Sequence, residues 1–199
     1  MLKKHIAALA ALTLLAVAPV FAQEAAGVKV GDAAPDFKLK DQTGKEWVLS
    51  EHKGKLVVLE WTNPECPFVV KHLKADTTTK LADKWKAKDV AWLKIDSSNF
   101  ITEEKAKKAV EDNKINVPVL LDAGGETGKA YGAKTTPHLF IVDKEGKIAY
   151  AGAYDDNPTA DAKEDTKNYV DAALEKLVAG EKPEVASTKP YGCSVKYKK

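Results

Sequence analysis

Apolar residues along the chain fall into short continuous runs, separated by lysine-rich stretches with helical spacing. The densest run, Leu56-Val57-Val58-Leu59-Glu60-Trp61, reads as a parallel strand covered on both faces. Residues 89–96 repeat the pattern, and shorter runs predict strands at 117–122, 137–143 and 148–151. Between the first two runs the period changes. Phe68, Val69, His72, Leu73, Leu81 and Trp85 make one apolar face with lysines opposite, which predicts a helix over 67–87 with a weak point at 75–80. Thr102-Glu103-Glu104 predicts the capped start of a helix reaching about Asn113. One helical turn is expected at 128–132 and a closing helix at 161–179, with Tyr169, Val170, Ala173, Leu174 and Leu177 on its buried face. Upstream, Phe37 and Leu39 on one side of Asp41-Gln42-Thr43-Gly44-Lys45 and Trp47, Val48 and Leu49 on the other predict a hairpin. Alternating strands and helices imply an α/β fold: a central mixed sheet with helices on both faces and an N-terminal hairpin extension.

Composition changes this picture mainly at the ends. Lys3 and Lys4, the apolar stretch at 6–20 and Val20-Phe21-Ala22 before Gln23 have the three parts of a signal peptide. The apolar stretch is short for a bilayer span and no second one follows. The expected organisation is a leader at 1–22, a flexible start at 23–30, one domain at 31–180, and a tail at 181–199 that carries Cys193. The mature product would be exported to a periplasmic or extracellular location. Of the 31 basic side chains, all lysine, two lie in the leader, so the remainder balance the 29 acidic ones. A neutral mature chain gives no reason to expect a nucleic acid or an anionic membrane as partner. The absence of arginine excludes chemistry that needs a fixed guanidinium fork.

The candidate chemistry sits in Asn63-Pro64-Glu65-Cys66-Pro67-Phe68-Val69-Val70-Lys71-His72. Proline is at ease in the first helical position, so Cys66 falls at a helix start, where free amides and the positive end of the helix dipole favour thiolate. Glu65 acts in the opposite sense, since a neighbouring carboxylate raises a thiol pKa. The second cysteine, Cys193, is 127 positions away. It either resolves a sulfenate or mixed disulfide at Cys66, forms a static disulfide with it, or pairs with an external thiol; two cysteines this far apart do not make a zinc pattern. Glu60, a charge inside an apolar strand, either shuttles protons to the sulfur or faces an edge or pairs with a lysine. His72 lies 120° from Cys66 in helical phase and reads as structural, whereas His138 is the better candidate to face a substrate. Trp61 reads as both core and site wall.

These features resemble the thioredoxin superfamily. The matching residues are the strand ending at Trp61, Cys66 at a helix start, Thr135-Thr136-Pro137 ahead of a strand (similar to that family's cis-proline loop), and the turn Asp143-Lys144-Glu145-Gly146-Lys147. The early Gly31-Asp32-Ala33-Ala34-Pro35-Asp36-Phe37 resembles the start of peroxiredoxin-like redoxins of the alkyl hydroperoxide reductase type. Three departures matter. Val69 stands where thioredoxins have their second cysteine. Thr62 is four residues before Cys66 rather than three, and the arginine that peroxiredoxins use is missing. The resemblance implies a thiol–disulfide oxidoreductase with Cys66 as nucleophile and Cys193 as a resolving candidate. Trp61, Pro67, Thr136, Pro137 and His138 would line the substrate site, with Glu60 as the shuttle candidate, and no metal or cofactor is implied. Partners would be protein or small-molecule thiols and disulfides. The rival readings are a thiol peroxidase acting on hydrogen or alkyl peroxides, and a non-catalytic binding protein with a structural Cys66–Cys193 disulfide.

Overall fold

The computed structural model describes residues 27–198, so the leader and the first half of the expected flexible start, 23–26, lie outside the described residues. In chain order the elements are β1 (Lys38–Asp41), β2 (Glu46–Val48), β3 (Leu56–Trp61), α1 (Pro67–Lys74), α2 (Thr77–Lys86), β4 (Val90–Asp96), α3 (Glu103–Asp112), β5 (Val119–Leu121), α4 (Glu126–Tyr131), β6 (Thr135–Thr136), β7 (His138–Val142), β8 (Ile148–Gly152), α5 (Tyr169–Val178) and β9 (Cys193–Ser194). Seven strands form one sheet in the order β2-β1-β5-β4-β3-β7-β8. Its centre is parallel, with β3 beside β4 and β4 beside β5, and its flanks are antiparallel. This is the mixed α/β sheet that the sequence predicts.

Strand alternation divides the core in two. Leu56 and Val58, with Trp92, Leu139 and Ile141, pack against Leu81 and Trp85 of α2 and Val170 and Leu174 of α5. Val57, Leu59 and Trp61 face the other way and pack with Leu93, Ile95, Phe140 and Tyr131. Glu60 and Lys94 hold paired positions on β3 and β4, on the face of the first core, and both are fully buried. Their ion pair, with donation to Glu60 from Thr78 Oγ1 and Trp92 Nε1 (2.9 Å each), satisfies a carboxylate that an apolar strand could not otherwise hold.

Three expectations need correction. The closing helix starts at Tyr169, not near residue 161. The side chains of Asp155, Asp156 and Asn157 accept backbone N–H groups at Asn157, Lys167 and Thr159, which holds this stretch in turns rather than helix. The start at 27–30 is held in place: Val28 N–H donates to Tyr131 O at 3.2 Å. The tail is also part of the fold. Thr188 N–H donates to Ala151 O at 3.2 Å and Ala151 N–H to Ala186 O at 3.1 Å, and β9 makes a separate two-stranded sheet with β6.

Candidate functional site

Cys66 caps the N-terminus of α1 in an extended conformation, with Pro67 at the first helical position. The residue is buried, and its thiol donates to the carbonyl of Thr136 at 3.0 Å. Thr136 precedes Pro137 through a cis peptide bond, so the cis-proline loop lies against the sulfur. On the other side of Thr136 stands β9, antiparallel, with Cys193 opposite Thr136. The pairing brings the two cysteines together, both as thiols.

Electrostatics separate the two sulfurs. Burial pushes the Cys66 thiol up, but donation from the Cys193 thiol, the Thr136 hydroxyl and the backbone N–H groups of Cys193 and Val69 outweighs it and holds the thiol below its ordinary value. Cys193 moves the other way, to about 11, because of burial, its hydrogen bond to Cys66 and the negative charge forming there. The Thr136 hydroxyl is the one buried side-chain oxygen or nitrogen among the described residues left without a bond, and so is free to donate once the thiolate forms.

The other sequence-selected residues divide. Pro67 is exposed at the rim, and Thr136 and Pro137 are buried against Cys66. Trp61 does not line a substrate site: it is fully buried, donates from Nε1 to Ser97 Oγ at 3.0 Å, and packs on Tyr131 and Phe140. His138 lies away from Cys66. Alternation along β7 puts it on the side of Phe140, where its Nδ1 accepts from Lys134 N–H at 3.3 Å, whereas α1 packs on the opposite face. Glu60 makes its hydrogen bonds to Thr78, Trp92 and Lys94, and none of them leads to Cys66. His72 stacks on Tyr154 with ring centroids 4.2 Å apart. Tyr191 and Gly192, which the sequence pattern does not single out, belong to the site as well. Their only local signal is a glycine directly before a cysteine and after an aromatic residue.

Burial and the charges of Lys71 and Lys94 push His72 down to about 3, and the Asp155 carboxylate 3.9 Å away does not offset them; burial and Lys134 push His138 down to about 4. Both therefore bind protons better unfolded, where the ordinary value is 6.5. Stability is expected to rise with pH through the window between those values and to be lost as pH falls below about 6.5. Denaturant midpoints measured across that window check this; a flat profile would contradict it.

The AhpC/TSA family model matches residues 30–151. The thiol-disulfide oxidoreductase ResA of Bacillus thuringiensis subsp. konkukian is 32% identical over 121 residues, which cover 61% of this chain and 68% of that protein. Among solved structures, a conserved protein of Geobacillus kaustophilus superposes with a TM-score of 0.77 at 30% identity, covering 85% of this chain and 93% of that one. A protein of Sinorhizobium meliloti 1021 superposes with a TM-score of 0.75 at 29% identity, covering 86% and 96%. The strand–cysteine–helix unit, the cis-proline loop against the sulfur and the family match agree: this chain is thioredoxin-like in fold and belongs to the AhpC/TSA family.

Proposed function

We propose that this chain is an exported thiol–disulfide oxidoreductase in which Cys66 attacks and Cys193 resolves. The observation that supports it most is the β6–β9 pairing, which puts the Cys193 thiol and N–H at the Cys66 sulfur. The Cys66 thiolate attacks a substrate disulfide, forming a mixed disulfide and expelling one substrate thiolate. Cys193, as thiolate, then attacks the Cys66 sulfur, forming Cys66–Cys193 and expelling the second. An external dithiol must reduce that bridge to complete the cycle. The charge that raises Cys193 disappears once Cys66 is in the mixed disulfide, so the second thiol becomes easier to ionise at the step that uses it. Thr136 and Pro137 would hold the incoming sulfur, with Pro67 at the rim. The name of the Bacillus relative, thiol-disulfide oxidoreductase, supports the same chemistry. Peroxide reduction is less well supported, since the chain has no arginine to hold a peroxide.

The test is turnover of a disulfide-bonded polypeptide with a dithiol reductant. Cys66→Ser is expected to abolish turnover, and Cys193→Ser to accumulate a mixed disulfide visible by mass spectrometry. Iodoacetamide should alkylate Cys66 with a midpoint below the free-thiol value of about 8.5. Undiminished turnover by Cys66→Ser, or oxidation by hydrogen peroxide faster than disulfide exchange, would overturn the reading.

A further inference from the structure

One buried polar cluster has no part in the steps above. Lys71 and His72 of α1 and Asp155 after β8 are each more than nine-tenths buried, and all three meet at one hydroxyl, that of Tyr191 in the tail. The hydroxyl donates to Asp155 Oδ1 and accepts from Lys71 Nζ at 3.2 Å, and it lies 3.2 Å from His72 Nε2. Lys71 Nζ is also 3.6 Å from Asp155, donates to Asn157 O at 2.8 Å, and sits 4.9 Å from the Tyr191 ring centre. Phe68 flanks the same ring at 6.1 Å. The helix that supplies Lys71 and His72 is the one Cys66 caps, and Tyr191 stands two residues before Cys193. The cluster therefore ties the segment carrying the second sulfur to the helix carrying the first.

We propose that Tyr191 is a positioning residue for resolution: its hydroxyl, clamped by Lys71, His72 and Asp155, keeps Cys193 at the Cys66 sulfur so that the second exchange is intramolecular. This rests on the reading of Cys193 as the resolving thiol. Holding two reactants in place raises their effective concentration by orders of magnitude. A two-residue strand such as β9 needs anchors on both sides: Val195 N–H on Lys134 O (3.2 Å) and Tyr197 on Ala133 O (2.8 Å) hold the side after Cys193, and Tyr191 holds the side before it. The first exchange draws on this clamp only through the ionisation of Cys66, which Cys193 helps to hold, so the two steps are compared at a pH where Cys66 is already thiolate in every variant.

Stopped-flow reaction of the reduced protein with 5,5′-dithiobis(2-nitrobenzoate) separates the steps. One coloured thiolate leaves when Cys66 forms the mixed disulfide, and a second leaves when Cys193 displaces it. Tyr191→Phe keeps the ring against Lys71 and Phe68 and removes only the hydroxyl. It is expected to slow the second release by about tenfold, the size of one charge-assisted hydrogen bond, with the first release within about twofold. Tyr191→Ala should slow the second release further. An unchanged second release in Tyr191→Phe, or equal slowing of both steps, would overturn the assignment, because a merely structural contact would not act on one step alone. Cys193→Ser serves as the control. If it still gives the second release at the wild-type rate, Cys193 does not resolve and both readings fall; if it abolishes that release while Tyr191→Phe does not slow it, only the role of Tyr191 falls.

Discussion

Lys94→Met is expected to lower the free energy of unfolding by about 3–5 kcal/mol, the cost of leaving one member of a buried ion pair without the other. Both partners are at most 1% exposed, so water cannot take over the lost interaction. Thr78 and Trp92 still donate to Glu60 in that variant, but neutral donors do not cancel its charge. Glu60→Leu alone should be similarly costly, because it leaves the Lys94 ammonium with none of the partners it has now. The double variant Glu60→Leu/Lys94→Met is expected to recover part of the loss, since no buried charge is left unpaired, while Thr78 and Trp92 still lose their acceptor. Urea denaturation of the four proteins closes the cycle; additive single losses with no recovery would refute the ion-pair account. The double variant also tests the proton-shuttle role. The hydrogen bonds of Glu60 do not lead to Cys66, so the pH profile of Cys66 alkylation should be unchanged.

Local physics explains which parts of the molecule were legible in the sequence. Strand β3 was readable to the residue because a continuous apolar run flanked by turns has few other solutions. The start of α3 was readable because Thr102 caps it, accepting Lys105 N–H at 3.2 Å. The weak point at 75–80 is a real break, with Asp76 in the left-handed region between α1 and α2. Cys66 at the start of α1 followed from Pro67 alone. The losses are all long-range. That Glu60 pairs with Lys94 rather than another lysine depends on the register between β3 and β4, which no local pattern encodes. The resemblance puts Trp61 and His138 in a substrate wall, but strand alternation turns both toward the second core. The sequence sets the tail apart from the domain because its lysine- and proline-containing composition has no periodicity. Its order comes instead from single side chains, Thr188, Tyr191 and Tyr197, each bonded to a partner more than thirty residues away in the sequence.

Gly192→Ala is expected to remove the resolving step while leaving the fold in place, and the first exchange too at a pH where Cys66 is ionised without help from Cys193. Gly192 has φ +128°, a conformation that L side chains rarely adopt. A Cβ there would stand 2.1 Å from the carbonyl oxygen of Thr136, which is backbone and is itself the acceptor for the Cys66 thiol. Neither side can yield cheaply: Thr136 is buried with its carbonyl against Cys66, and Gly192 lies between the Tyr191 anchor and Cys193. The easier relaxation is for β9 to leave β6, because that sheet has only two short strands and sits outside the seven-stranded one. Cys193 then moves off Cys66, and resolution loses the advantage of proximity, a fall of roughly a hundredfold or more in the second release. Cys66, now covered by β9, should become more accessible, so its alkylation at high pH should be faster than in the wild type. Thermal unfolding should change little, since both main cores are built without residues 191–194. The contrast with Lys94→Met is diagnostic: one variant should lose stability while keeping the two-step release under native conditions, and the other should keep stability while losing the second step. If Gly192→Ala releases the second thiolate at the wild-type rate, the β6–β9 register is not what brings Cys193 to Cys66.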